Sequence, residues 1–230
     1  MLYEEAQWVG NRIQKHFKAG DSILNLGSST ADLREVRQSH MCEFIFEPTQ
    51  KAGIHIVHTD IATGEGVDIV GDLTDPMFLE ELKKKNWNGL LCCNLLEHLV
   101  DRQPIVNAIS DLLKTGDKLI ITVPFNYPYH LDPIDTLYRP SISELKELFS
   151  KLQFIKGEEL IARRKVSRHG KPGYHKNYFQ QLKNDPPLFI NLLIRCLLPF
   201  YKPKMWYVTV KDLCRMFKPF KVTCVVFQRL

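Results

Sequence analysis

The sequence predicts an α/β domain in which a largely parallel seven-stranded sheet lies between helices. The stretch 23–31, Ile-Leu-Asn-Leu-Gly-Ser-Ser-Thr-Ala, is typical of a buried strand that ends in a tight turn of small residues. Further along, short apolar segments alternate with helical patterns, and residues 221–228 are β-rich. Since ligands of such sheets bind beyond the carboxyl ends of the strands, the turn after the first strand predicts a ligand site.

Length and composition fit one globular domain. The chain has 230 residues, 44% hydrophobic and 25% charged, which argues against disorder. No apolar run reaches the roughly 20 residues that span a bilayer, and the first residues do not form an apolar signal segment. The cysteines have no regular spacing, so we expect reduced thiols in a cytoplasmic protein. His55 and His58 would point to opposite faces of a strand, so no metal site is predicted.

The first elements are a helix and the strand described above. Residues 3–18 have apolar side chains at helical spacing, and Gly20 ends the helix, for which we predict no chemistry. After the strand 22–26, Gly27 allows a tight turn, and Ser28 and Ser29 offer hydroxyls and free N–H groups that suit a carboxylate or a phosphate. A short helix over about 32–40 follows.

Two acids compete for the end of the second strand, where a carboxylate can accept hydrogen bonds from ribose hydroxyls. Glu47 follows Gly27 by 20 residues, the spacing usual in nucleotide-binding folds. Asp60 ends the apolar segment 54–60, and it is followed by Ile61, a glycine-rich turn and the third strand, 67–70. We favour Asp60, in which case 44–47 would be an additional edge segment.

The third and fourth strands also end in polar residues. Asp72 and Leu73 follow the third strand, although Asp72 to Pro76 could equally be the start of the helix 76–85. The apolar segment 89–93 leads into Asn94 and Leu95, and then into Glu97 and His98, which could also be a purely structural pair.

A proline-rich loop, 124–140, follows the helix 105–113 and the fifth strand, 118–123. Its aromatic and ionisable side chains at the carboxyl edge of the sheet predict an acceptor-substrate wall. His130 is the candidate general base, Asp132 or Asp135 could orient it, and Arg139 could bind an acceptor carboxylate or phosphate. Alternatively, the loop braces itself and Arg139 pairs with Asp132 or Asp135.

The C-terminal part predicts a capped helix over 141–151, a sixth strand at 154–161 and the final strand at 221–228. An insertion at about 163–220 separates these strands within the single domain 1–230. It begins with a basic segment and continues with an apolar helix candidate, 188–198, and aromatic residues. Residues 163–207 could contact a membrane surface, although a helix over the active site or a dimer face explains the same pattern. No nucleic-acid motif is present.

Three of these segments resemble the class I S-adenosylmethionine (SAM)-dependent methyltransferases. Asn25, Gly27, Ser29 and Ala31 match their first motif, an acid followed by three alternate glycines, at one glycine only. Asn94 to His98 resembles their fourth-strand motif, and 124–140 resembles a loop of the sugar- and glycan-related branch. The resemblance implies a Rossmann-like sheet with an antiparallel last strand. It also implies SAM as cofactor, bound by Gly27, Ser28, Ser29, Asp60, Ile61, Asp72, Leu73, Asn94 and Leu95.

The implied activity is methyl transfer to an oxygen or nitrogen of a small or glycan-like acceptor. A non-catalytic adenosyl-binding or scaffold protein is the main alternative, because the first motif is altered. A nicotinamide dehydrogenase fits less well, because Gly-x-Gly-x-x-Gly is missing. The sequence does not predict the oligomeric state.

Overall fold

The computed structural model describes residues 1–127, 134–162 and 219–230. One compact unit comprises Met1–Ala162 and Lys221–Leu230. Apart from 219 and 220, the predicted insertion lies outside the described residues, and so does the membrane contact predicted for 163–207. Among the described helices, none is both long and apolar enough to cross a bilayer.

Helices and strands alternate through this unit. The α-helices are α1 (Tyr3–His16), α2 (Glu47–Lys51), α3 (Pro76–Lys83), α4 (Gln103–Leu112) and α5 (Ile142–Leu148), with π-helical segments at Asp32–Arg37 and Cys42–Phe46 and a 3-10 helix at Leu96–His98. The strands are β1 (Ser22–Leu26), β2 (His55–Asp60), β3 (Ile69–Val70), β4 (Gly89–Cys93), β5 (Lys118–Asn126), β6 (Gln153–Ala162) and β7 (Phe220–Gln228).

The strands form one seven-stranded sheet in the order β3-β2-β1-β4-β5-β7-β6. β1 is parallel to β2 and β4, β4 is parallel to β5, and β7 is antiparallel to β5. The predicted fold class, including the antiparallel last strand, is therefore confirmed. Because β1, β2, β4 and β5 are parallel, their carboxyl ends lie at the same edge of the sheet.

Apolar side chains cover both faces of the central strands, which explains their continuous hydrophobic runs. Leu24 and Leu90 belong to the core cluster that includes α3 and α4, whereas the neighbouring Ile23 and Leu91 belong to the cluster built around α1. The alternation along each strand thus distributes side chains to two helical layers.

The prediction that 44–47 forms an edge segment is wrong, because residues 42–51 are helical. The edge position beside β2 belongs to β3, and the aromatic side chains of 44–46 pack with α1 instead, with the Tyr3 and Phe44 rings 4.8 Å apart. β5 also continues past its predicted end. Pro124 is tolerated there because β4 pairs only as far as Thr122, which leaves β7 as the neighbour, with a bulge.

Candidate cofactor site

The turn after β1 has two residues in the left-handed region, Gly27 (φ +62°) and Ser29 (φ +54°). A Cβ added to Gly27 would lie 2.7 Å from Cδ1 of Leu95, so the turn fits closely against the segment that follows β4. The backbone conformation favours glycine at residue 27, and a side chain there would also have to displace the end of Leu95. Ser29 adopts a conformation that residues with a Cβ disfavour.

Asp60 joins the end of β2 to this turn. Its Oδ2 accepts the Ser29 amide hydrogen at 2.8 Å, and its Oδ1 accepts that of Ala62 at 3.0 Å. Ile61 follows with an exposed side chain. Glu47, the competing candidate, lies in α2, is exposed and pairs with Lys51. The second strand therefore ends in Asp60, as favoured from the sequence.

Arg34 supports the same turn and was not identified from the sequence. Its side chain is buried, with 2% of the residue exposed. Nη1 donates to the carbonyl oxygens of Ser28, at 3.1 Å, and Ser29, while Nη2 donates to that of Gly66 at 2.7 Å. Burial lowers the pKa of the Arg34 guanidinium. No periodicity or motif marks a residue that binds only backbone groups.

Asn25, at the position of the family's acid, pairs with a histidine. Its Nδ2 lies 3.1 Å from Nδ1 of His58, the adjacent residue on β2. Burial, with a contribution from the Arg34 charge, lowers the pKa of His58 to about 4. The ring is therefore neutral near pH 7 and can accept the amide hydrogen.

Beyond β3, the two predicted residues make local hydrogen bonds and core contacts. Oδ1 of Asp72 accepts hydrogen bonds from the backbone amide and hydroxyl of Thr74, both at 2.8 Å. Leu73 packs into the core. The helix start is formed by Asp75, whose side chain accepts the Met77 amide hydrogen. Asp72 therefore lies outside the N-cap, next to the edge where β2 ends.

Beyond β4, a buried carboxylate from α1 holds Asn94. The Asn94 backbone is left-handed (φ +53°), and its Nδ2 donates to Oε1 of Glu5 at 2.7 Å. The same oxygen accepts from the Thr122 hydroxyl at 2.6 Å, and Oε2 accepts the Leu2 amide hydrogen. α1, for which no chemistry was predicted, thus contributes a carboxylate to the carboxyl edge of β4 and β5.

Glu97 and His98 form the 3-10 helix after Asn94. Glu97 is 1% exposed, and its Oε2 has no hydrogen-bond partner within the described parts of the chain. Burial raises the pKa of Glu97 to about 8. Nε2 of His98 lies 3.9 Å from Oε1 of Glu97, and Nδ1 lies 2.5 Å from the carbonyl oxygen of Ile134.

The described end of the predicted acceptor loop is internally braced. Arg139 binds Asp135 through two hydrogen bonds of 3.1 and 2.6 Å, and the Asp135 side chain is fully buried. Thr136 donates its amide hydrogen to the carbonyl oxygen of Glu97 at 2.9 Å, which attaches the loop to the 3-10 helix. The alternative pairing of Arg139 with Asp135 is therefore observed. His130 and Asp132 lie outside the described residues.

No family model matches the chain, and no curated protein matches it. Solved structures do match the chain in their fold. A protein provisionally assigned as a sarcosine dimethylglycine methyltransferase from Galdieria sulphuraria has a TM-score of 0.55 at 12% identity, covering 97% of this chain and 84% of that one. The chain has the fold of Rossmann-like methyltransferases. Coclaurine N-methyltransferase, bound to N-methylheliamine and SAH, has a TM-score of 0.52 at 15% identity, covering 97% and 69%.

The same fold also occurs in a protein with a different named reaction. The [4+2]-cyclase SpnF matches with a TM-score of 0.53 at 11% identity, covering 97% of this chain and 80% of that one. Likeness at this level therefore establishes the architecture, while the reaction has to be argued from the residues of the site.

Proposed function

We propose that this protein transfers a methyl group from SAM to an oxygen or nitrogen of a small or glycan-like acceptor. The observation that carries the proposal is the connection between Asp60 and the turn Gly27–Ser29 at the carboxyl edge of a methyltransferase-like sheet. Several solved structures of this fold are methyltransferases, and that of coclaurine N-methyltransferase holds SAH.

The residues at this edge fit an adenosyl cofactor. Each oxygen of the Asp60 carboxylate accepts one backbone N–H and retains a lone pair that can accept a ribose hydroxyl. Gly27 lets the backbone approach a ligand closely. Ser28, Ile61, Asp72, Leu73, Asn94 and Leu95 complete the proposed site. When bound, SAM would supply a methyl group already activated by its sulfonium.

The protein's own task is then to align the acceptor, exclude water and remove a proton. His130 remains the proposed general base and Asp132 its proposed orienting partner. Arg139 has two hydrogen bonds to Asp135 and others to the carbonyl oxygens of Tyr138 and Tyr127. We therefore propose that it fixes the acceptor loop, with Nη2 still able to donate to an acceptor anion.

One observation favours the alternative function, an adenosyl-binding or scaffold protein. The family's acid is replaced by Asn25, whose amide is engaged by His58. The site thus lacks a negative charge at that position. A methyltransferase and a non-catalytic adenosyl-binding protein would both bind SAM. A scaffold protein whose cofactor site has been lost would not bind it.

The experiment that tests the cofactor site is calorimetric titration with SAM and with its demethylated product. We expect dissociation constants on the order of micromolar for the wild type. Asp60→Ala should weaken both by at least about 100-fold, because it removes the acceptor for ribose hydroxyls and for the Ser29 amide. Glu47→Ala, which removes an exposed carboxylate of the same charge, is the control and should bind like the wild type. No binding by the wild type would contradict the proposal, and loss in Glu47→Ala alone would relocate the site.

A further inference from the structure

We propose that Arg34 is a positioning residue that takes over the role of a missing glycine by holding Ser29 in its left-handed conformation. The inference concerns the turn itself, and its consequence for SAM rests on the function proposed above. Ser29 stands where the resembling family has its second glycine. It has φ +54°, a backbone conformation that L-residues with a side chain rarely adopt without support.

Both peptide groups that flank the Cα of Ser29 are fixed. The first has its carbonyl oxygen, on Ser28, bound by Arg34 and its amide hydrogen bound by Asp60 at 2.8 Å. The second has its carbonyl oxygen, on Ser29, bound by the same Nη1 atom and by the Ser28 hydroxyl. In a helical conformation of either hand, successive carbonyl groups point the same way, whereas in an extended chain they alternate. Because Nη1 of Arg34 binds both oxygens, it favours a helical over an extended Ser29, and the observed φ of +54° makes that conformation left-handed.

Space for the guanidinium comes from the turn between β2 and β3. Gly66 has φ +77°, and a Cβ there would lie 2.8 Å from Nη2 of Arg34 and 2.6 Å from Cβ of Ala31. The Gly66 carbonyl oxygen accepts from Nη2, and that of Glu65 accepts the Ala31 amide hydrogen at 2.8 Å. Arg34 therefore ties the turn after β1 to the turn after Asp60.

The chemistry of the side chain suits this task. Arg34 is buried, and each of its hydrogen bonds goes to a backbone carbonyl oxygen. Asp60, Asp68 and Glu35 stabilise the positive charge through space. The guanidinium directs donors on two separate nitrogens, Nη1 and Nη2, to oxygens in two different turns, whereas the donors of a lysine all lie on one nitrogen. Burying a cation without a carboxylate in direct contact is costly, which is consistent with a turn that depends on it.

The test combines Arg34→Lys with two glycine substitutions. Arg34→Lys should weaken SAM binding by at least about 10-fold. Adding Ser29→Gly should return the affinity to within about threefold of the wild type, because glycine adopts φ +54° without support. Ala31→Gly is the matched control. It also restores a glycine of the family's motif, but Ala31 has φ −57°, so it should not rescue the affinity.

A readout without ligand keeps this inference separate from the proposed function. Melting temperatures of the wild type, both single variants and the double variant form a cycle in which Arg34→Lys should cost less in the Ser29→Gly background than in the wild type. If the lysine variant does not fold, the cycle is measured with Arg34→Gln. Additive effects, or equal rescue by Ala31→Gly, would overturn the role of Arg34. Absence of SAM binding by the wild type would overturn the proposed function while leaving the cycle decisive.

Discussion

The ring of His58 stays neutral at physiological pH, and this determines which side chain can pair with it on the adjacent strand. Its depressed pKa, about 4, comes first from burial and then from the Arg34 charge. A neutral imidazole nitrogen accepts the amide hydrogen of Asn25 without requiring a counter-ion. Asn25, where the resembling methyltransferases have an acid, is thus matched to the neutral ring of His58 on the adjacent strand.

Replacing Asn25 with an acidic residue should raise the pKa of His58. In Asn25→Asp, a carboxylate would lie close to the buried ring and favour its protonated form, so the pKa of His58 should rise by at least about one unit. Titration of the His58 ring signals by NMR measures this directly. Asn25→Ala removes the amide without adding charge, so its His58 pKa should stay far below 6.5. An unchanged pKa in Asn25→Asp would mean that the carboxylate does not face the ring.

Single residues were predictable only where the local sequence marks them. Asp60 could be identified because it ends an apolar strand and precedes a glycine-rich turn. Glu5 could not, because its partners Asn94 and Thr122 are 89 and 117 residues away, and no local pattern indicates such a contact. Arg34 was missed for a related reason, since its partners are backbone groups that any sequence provides.

At the scale of elements, α1 illustrates how packing overrides local preference. Its amphipathic spacing predicted the helix, but the segment 44–46, Phe-Ile-Phe, favoured a strand locally and is helical in the structure. The reason is contact with α1. Gly10 lies directly against this segment, and a Cβ on Gly10 would lie 1.9 Å from the carbonyl oxygen of Phe44.

Gly10→Ala should therefore destabilise the protein although alanine is the better helix former. Overpacking of this kind costs about 1–3 kcal/mol, and the expected loss in the free energy of unfolding is about 2 kcal/mol or more, because the clashing atom is backbone. Chemical denaturation measures it. The neighbouring exposed Asn11→Ala is the control, with a change within about 0.5 kcal/mol. A neutral Gly10→Ala would show that α1 and this segment can separate without loss.

For the whole molecule, the order of helices and strands could be predicted because buried parallel strands are continuous apolar runs. The third strand was predicted at 67–70, but its shortening to the two residues of β3 was not, and neither was the continuation of β5 past Pro124, because both depend on which neighbouring strand is available. The acceptor was not predictable in detail, since its recognition depends on side chains that the loops bring together. Stability against pH is also a property of the whole molecule, and Glu97 makes it testable.

Glu97→Gln should change the pH dependence of unfolding. The folded-state pKa of Glu97, about 8, lies above its ordinary value of 4.5, so between these values the unfolded chain releases a proton that the folded protein keeps. The stability of the wild type therefore falls by about 1.4 kcal/mol per pH unit in this window from Glu97 alone. Glutamine does not titrate, so the advantage of the variant should grow from pH 5 to 8 and then level off.

Denaturant titrations of both proteins at pH 5.5, 6.5, 7.5 and 8.5 isolate this effect, because the other groups cancel in the difference. Glu144→Gln is the control, because the pKa of Glu144 is shifted in the opposite direction from that of Glu97. Hydrogen bonds from the Ser141 amide and hydroxyl lower the pKa of Glu144, so its titration affects stability only at more acidic pH. Its difference from the wild type should be constant over the same range. A constant difference for Glu97→Gln as well would mean that Glu97 is ionised in the folded protein. In that case a nearby cation would have to stabilise the carboxylate against the effect of burial, which by itself raises the pKa of Glu97.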